Sequence, residues 1–470
     1  MLSLEEAKRI LKTAKPDLII KWAWLLDNKK YMFDDEEHSA MHAYSVDALT
    51  GEIGDLWFHD WADFIDEGKV VKFNEYGEEV ASEEDIRSRM EQFDEKFLEY
   101  ISDHTEGNFM VSPLSLRYAL AMLLAGAEGG SREELLGVLQ VKTETEVREY
   151  FRPFHQFVAE RNRYALEQMK EIEEGIKEGW LDPSDVSPQG RFICIANSIW
   201  KNPGAAFEYR KGYMDDLEKD LSAECRCLPD THAGKAVNDW ISDKTDGMID
   251  RIMTDDYQGG DTGLLLINSL YFASKWAVPF DKEITEEGTF TTKNGDVVKK
   301  MFMNQIDWFP YYSDDRTQLI SMQLRGGVSV AFVLGDTAEI GRKLEKAGER
   351  KVNVTVPRIE METAFDKGQL MDYLKANGAV QIFDRKQKNF PKIADYPLYV
   401  ADIAQKTKLQ LNEEGVKAAA ATVNNLVAGA CDFFNCDEPV IFRADRPFSF
   451  YIYTEIDGEK YQLFSGKINE

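Results

Sequence analysis

Few residues in this chain could do chemistry, and they are scattered. Six histidines occur, His38, His42, His59, His104, His155 and His232, and none stands beside a plausible nucleophile in a local motif. There is no Gly-x-Ser-x-Gly elbow, no His-Glu-x-x-His, no phosphate-binding glycine-rich loop and no dinucleotide fingerprint. Triads can assemble from distant residues, but on balance the chain reads as a non-enzyme. Its five cysteines are too few for a disulfide scaffold in 470 residues. Cys194 lies in an apolar strand and reads as a buried thiol. Cys225-Arg-Cys227 and Cys431…Cys436 offer four thiols. A Cys-x-Cys pair is too tight for a zinc ribbon, however. Neither a metal nor a cofactor is expected.

A different kind of chemistry is suggested by Asn412-Glu-Glu-Gly-Val-Lys-Ala-Ala-Ala-Ala-Thr422. By propensity alone its four consecutive alanines favour a helix over 416–422. Read as a strand, it places Val416, Ala418, Ala420, Thr422, Asn424, Leu426 and Ala428 on one face. Lys417, Ala419, Ala421, Val423, Asn425 and Val427 fall on the other. The first face is small and mostly apolar, able to slide between two strands without overpacking a core. Lys417 points away from it. Asn424 is the awkward inward residue, since a buried amide without a partner costs about 1–3 kcal/mol.

The elements that hold this segment divide into two parts. Residues 1–80 read as an acidic α+β module, and residues 85–470 as a large domain, with polar Tyr76 to Glu84 as linker. In the module a helix from Ser3 to Ala14 leads into alternating segments at Leu18–Leu26, Tyr31–Phe33 and His42–Val46, then a turn from Asp47 to Ile53. Beyond Asp85, Ile86, Met90, Phe93, Phe97 and Ile101 form one helical stripe. A second helix follows Ser112-Pro113, and Phe157 to Gly179 is a third. Later segments such as Val328–Leu334, Lys408–Leu411 and Pro447–Tyr453 read as strands. Helices first and strands later argue for an α+β domain with large mixed or antiparallel sheets.

The net charge is −28, and residues 1–85 hold 21 acidic against 9 basic side chains. Such a surface argues against nucleic-acid or membrane partners. No apolar run reaches the roughly 18–20 residues of a membrane span. The charged amphipathic start lacks the basic head and apolar stretch of a secretory signal. A cytoplasmic protein, or one whose leader has been removed, is therefore expected.

Several blocks in register resemble the serpin family. They include Asn108-Phe-Met-Val-Ser-Pro-Leu-Ser-Leu116, Ala196-Asn-Ser-Ile-Trp200 and Val237-Asn-Asp-Trp-Ile241. Leu266-Ile-Asn-Ser-Leu-Tyr-Phe-Ala-Ser-Lys-Trp276, Val356-Pro-Arg-Ile359, the segment from Asn412, and Phe442-Arg-Ala-Asp-Arg-Pro-Phe448 continue the series. The module, closing on Tyr44-Ser-Val-Asp-Ala-Leu-Thr-Gly-Glu-Ile53, resembles the PepSY domains of bacterial protease propeptides, and so hints at a bacterial source.

The resemblance implies the serpin fold, three sheets with about eight or nine helices and an exposed reactive loop. It also implies a monomeric, extracellular inhibitor that traps a serine protease as a covalent complex. The insertable hinge would be Glu413, Glu414, Gly415, Val416, Lys417, Ala418, Ala419, Ala420, Ala421 and Thr422. Ser112, Ser115 and Asn268 match the shutter, where the central strands part, and Trp276 matches the breach. Gln405 replaces a common shutter histidine. Counting seventeen positions from Glu413 places the bait bond at Gly429–Ala430, suiting an elastase-like or subtilisin-like protease. Counting back from Phe442 points to Phe433–Phe434 and a chymotrypsin-like one. A Cys431–Cys436 disulfide would make that bait redox-sensitive. The alternatives are a non-inhibitory binding, carrier or storage serpin, or a partner-binding role centred on the acidic module.

Overall fold

The computed structural model describes residues 2–16, 18, 20, 22–26, 29–34, 42–57, 70–73, 79–80, 83–181, 193–257, 263–365, 368–416 and 438–470. The chain divides into two compact units, Met1–Ser88 and Arg89–Glu470. In the smaller unit, helix α1 (Leu4–Ala14) begins at Ser3. The Ser3 hydroxyl accepts from the Glu6 amide, and the Glu6 carboxylate accepts from the Ser3 amide at 2.8 Å, so two orphan donors are satisfied together. Leu4, Ala7 and Leu11 recur at helical spacing and bury against Tyr31, Phe33 and Val46.

The sheet beneath α1 comprises β1 (Trp22–Leu26), β2 (Lys30–Asp34), β3 (His42–Asp47), β4 (Ile53–Trp57), β5 (Val70–Phe73) and β6 (Glu79–Val80). Every pairing in it is antiparallel, in the order β4-β3-β2-β1-β5-β6. The turn between β3 and β4 forms because the Asp47 carboxylate accepts from the Leu49 and Thr50 amides, each at 2.8 Å.

Next along the chain are helices α2 (Glu83–Asp103), α3 (Pro113–Gly126), α4 (Gly129–Leu139) and α5 (Glu144–Glu178). Later come α6 (Lys211–Leu221), α7 (Ala233–Lys244), α8 (Ile340–Glu345) and α9 (Gln369–Ala376). Met90, Phe93, Phe97 and Ile101 on α2 are buried, as their spacing requires. The helix expected from Phe157 already begins at Glu144, where Thr143 caps the Glu146 amide. Pro153 within it removes one backbone donor, but Phe151, Phe154 and Phe157 are buried to either side of it and hold the helix continuous.

The strands are β7 (Phe109–Val111), β8 (Ile193–Lys201), β9 (Ala223–Cys227), β10 (Leu264–Phe272), β11 (Ser274–Lys275) and β12 (Glu286–Thr291). Then follow β13 (Val297–Ser313), β14 (Thr317–Gln323), β15 (Val328–Gly335), β16 (Gly348–Pro357) and β17 (Ile359–Ala364). The last are β18 (Val400–Asn412), β19 (Gly415–Val416), β20 (Val440–Arg443), β21 (Phe448–Ile456) and β22 (Glu459–Ile468). One sheet has the order β11-β19-β18-β10-β8-β9, with β17 also on β18. The remaining strands follow the path β20-β16-β13-β14-β15-β21-β22-β7, with β12 also on β13. Within this nine-stranded sheet β13 changes partner along its length: Phe302–Tyr311 pairs with β16, and Tyr311–Ser313 with β14. Among the described residues no helix is long and apolar enough to cross a membrane.

Candidate functional site

The main sheet turns on one hairpin. Strand β18 ends at Asn412, the chain reverses through Glu413 and Glu414, and Gly415–Val416 runs back beside it. Val416 is paired with Leu411 on one side and Ser274 on the other, and Gly415 with Asn412 and Lys275. Gly415–Val416, at the start of the expected hinge, therefore lies in the sheet between β18 and β11, antiparallel to both. Val416 is a buried strand residue here and not the start of a helix, because two strand edges offer its backbone more than alanine propensity can. Gly415 has φ +142°, and a Cβ on it would lie 2.3 Å from the Ser274 carbonyl oxygen, so only glycine fits.

Side chains lock this hairpin in place. Trp276 is fully buried; its indole Nε1 donates to the Asn412 carbonyl at 2.8 Å, and its amide to that of Glu414 at 2.9 Å. Phe280 packs edge-on to Trp276, and its amide donates to the Glu413 carbonyl. Glu413 is 3 % exposed, and one oxygen, Oε1, accepts from Arg358 Nε at 2.8 Å, Arg358 Nη2 at 2.5 Å and Thr285 Oγ at 2.8 Å. Burial works against the charge, but the donors from Arg358, the backbone and Thr285 outweigh it and hold the carboxyl below its usual value. Glu414 pairs with Lys282 in a more exposed ion pair.

Below the hairpin, β10 and β18 pair in parallel from Leu264/Val400 to Asn268/Gln405. Above that point, among the described residues, the facing edges from Ser269 and from Lys406 carry no ladder until Val416 is reached. The result is a short slot, closed above by the hinge and below by the last rung. The polar side chains at that rung are tied away from each other. Asn268 Nδ2 donates to Asn197 on β8, while Gln405 Nε2 donates to the Ser112 carbonyl at 3.2 Å. Ser112 Oγ donates to the Leu463 carbonyl at 2.7 Å and accepts from the Ser115 amide, capping α3. Each half of the seam is thus anchored to its own side. Among the described residues, Asn268 Oδ1 and Gln405 Oε1 are buried acceptors without a donor.

The residues expected from sequence gather in two clusters. Trp276, Glu413, Glu414, Gly415 and Val416 form the upper one, and Ser112, Ser115, Asn268 and Gln405 the lower. Lys417, Ala418, Ala419, Ala420, Ala421 and Thr422 lie outside the described residues. So do the two alternatives expected for the bait bond, Gly429–Ala430 and Phe433–Phe434, and Cys431 with Cys436. Sequence reasoning missed Arg358, Thr285, Lys282 and Asn197 as site residues, although Arg358 and Asn197 sit inside two of the family-like blocks. Cys194 is buried, with Sγ 3.8 Å from the Asp246 carboxylate. Among the described residues no group of His, Cys, Asp and Glu side chains could hold a metal ion.

Three sheets, a parallel seam and a hinge threaded between strands define the class of protein. A family profile described as "Serpin (serine protease inhibitor)" matches residues 89–470, and the chain belongs to the serpin family. An uncharacterised serpin-like protein of Methanosarcina mazei is 25% identical over 383 residues, covering 77% of this chain and 81% of that protein. The horse (Equus caballus) leukocyte elastase inhibitor is 25% identical over 373 residues, covering 73% and 89%. Human thyroxine-binding globulin with its bound hormone superposes with a TM-score of 0.65 at 18% identity, covering 82% and 98%. That last likeness is one of fold. As a family, serpins are protease inhibitors and not catalysts, and their targets are generally serine proteases.

Proposed function

We propose that this chain inhibits a serine endopeptidase by offering the segment after Val416 as bait and inserting it, once cleaved, into the β10–β18 seam. The observation that carries this reading is the hinge pair Gly415–Val416, hydrogen-bonded between β18 and β11 and in line with the slot below. Continuing the pairing downward brings Thr422 opposite both Gln405 and Asn268, the two residues of the last closed rung. The Thr422 hydroxyl would then meet the acceptors left without donors there. The cleaving protease would remain esterified through its own serine and be carried along by insertion. Each new ladder bond contributes about 0.5–1.5 kcal/mol net, so a dozen inserted residues release an energy comparable to a small domain's stability.

The small residues at Gly429–Ala430 favour an elastase-like or subtilisin-like target; Phe433–Phe434 would favour a chymotrypsin-like one. The protein is to be mixed with each enzyme class and examined for an SDS-stable covalent complex, with mass spectrometry of the released C-terminal peptide to locate the bond. Cleavage by every protease without any complex would replace this reading with a non-inhibitory carrier or binding role.

A further inference from the structure

Two thiols outside the seam stand on one face of an edge strand. Among the described residues β9 pairs with β8 alone, in parallel from Asn197/Ala223 to Lys201/Cys227, and so ends the main sheet. Cys225 and Cys227 are two residues apart on it and therefore point the same way, on the side of Tyr209. Cys227 is exposed and Cys225 partly buried. The Tyr209 hydroxyl lies 3.2 Å from the Ile199 carbonyl and 3.1 Å from the Arg226 carbonyl, clasping the two strands where the thiols sit.

Glu224 and Arg226 alternate with the thiols and face the other way. The Arg226 guanidinium lies over the Trp200 ring, 5.1 Å from its centroid, and donates to Glu224 Oε2 at 2.7 Å. Glu224 also accepts from Trp240 Nε1 at 3.2 Å and pairs with Lys244 at 2.5 Å, both on α7. That helix lies across the closed part of the seam. Its Val237, Trp240 and Ile241 pack with Trp200 of β8, Leu265 and Ile267 of β10 and Ala404 of β18. One face of β9 thus ties down the helix over the closed rungs, and the opposite face carries the thiols.

A bond between the two sulfurs changes the strand that bears them. Two residues along a strand separate Cα atoms by about 6.4–6.8 Å, whereas a disulfide usually draws them to about 5.5–6 Å. Closing it shortens β9 by roughly 1 Å and draws Glu224 and Arg226 off their partners. Burial pushes the Cys225 thiol up to about 12, so the exposed Cys227 reacts first. Its thiolate attacks one sulfur of a small disulfide, breaks that S–S bond, expels one thiolate and leaves a mixed disulfide. Cys225 then loses its proton to solvent, attacks the Cys227 sulfur and expels the second thiolate. The two cysteines give up two electrons, and the small disulfide is reduced to two thiols.

We infer that Cys225 and Cys227 form a thiol–disulfide modification site for a low-molecular-weight disulfide, and that the intrastrand bond it leaves loosens α7 over the seam. The inference stands whether or not the chain traps a protease. Its test uses the Cys431→Ser, Cys436→Ser variant, which keeps three thiols, Cys194, Cys225 and Cys227, equilibrated with oxidised and reduced glutathione at set ratios. Peptide mapping should find Cys225 and Cys227 in one bond with no glutathione retained, and dithiothreitol should restore both thiols. Backbone amides of Ala233–Lys244 should exchange ten-fold faster or more in the oxidised form. Cys225→Ser in the same background should stop at glutathione-bound Cys227, with α7 exchanging as in the reduced form. Wild type mapped in the same way gives the bond assignment should the starting variant fold poorly. Glutathione retained on Cys227 while Cys225 is present, or no reaction at either thiol, overturns the modification site. An intrastrand bond with unchanged exchange in α7, or equal acceleration in Cys225→Ser, overturns its coupling to the seam.

Discussion

At the residue scale, the buried carboxylate of Glu413 ties the hinge to the body of the molecule. Replacing Arg358 by alanine removes two of its donors and should cost roughly 1–3 kcal/mol in urea unfolding. The Glu413 pKa is depressed on folding, so its contribution is complete above the ordinary value of 4.5 and is lost as pH falls through the folded value. The stability difference between wild type and Glu413→Gln should therefore shrink as pH falls below 4.5 and through the depressed folded value. His155 gives a second, separate window. Burial pushes it from 6.5 down to about 4 against the opposing pull of Asp220, and its Nε2 lies 2.6 Å from the Tyr118 hydroxyl. Its stabilising share is present above 6.5 and lost as pH falls toward 4, so His155→Phe should flatten stability measured across that interval. Trp276, Ser112 and Asn268 could be singled out in sequence because family-like blocks carry them, whereas Gln405 lies between two such blocks and was reached only by its position relative to them. The pairing of Arg358 with Glu413 was not: the partners are 55 residues apart, and residue type alone does not say which carboxylate an arginine meets.

At the element scale, the sequence pattern marked the stripe on α2, which burial on one face imposes, the capped start of α3, and the strands β15 and β21, which are apolar runs buried on both faces. It failed where an element's neighbours decide. Alanine propensity favoured a helix from Val416, but the vacant edges of β11 and β18 impose a strand. Gly415→Ala should break that pairing, since the added methyl meets backbone on β11; amide exchange at Val416 should accelerate markedly. Register carries a sharper prediction. If Thr422 comes to lie between Asn268 and Gln405, Thr422→Val should destabilise the loop-cleaved form by about 1–2 kcal/mol while leaving the melting of the intact form unchanged. Equal loss in both forms, or none in either, would contradict the register.

At the scale of the whole molecule, loop cleavage should raise the melting temperature, as a new strand fills the slot. Removing residues 1–80 should leave the trapping rate within about two-fold, because the family match spans 89–470 and the two units are separately compact; a large loss would move the functional weight to the acidic module. Charge and pattern set a module over 1–80 against a domain over 85–470, and the two compact units of the structure are Met1–Ser88 and Arg89–Glu470. That β13 pairs with β16 and then with β14 could not be read, since strand length says nothing of how many partners a strand serves. The threaded hinge, finally, bears on timing. A tethered loop that must first find its groove spends its time on nucleation. Here the first two residues are seated before any bond is cut. On the proposed inhibitory reading, the acyl link and the advancing strand would race after cleavage, from a starting line only a few residues above the closed rungs. The outcome would then be governed by how fast Leu264–Asn268 and Val400–Gln405 part, so that a change deep in the sheet, far from the bait, would decide whether the enzyme is held or escapes.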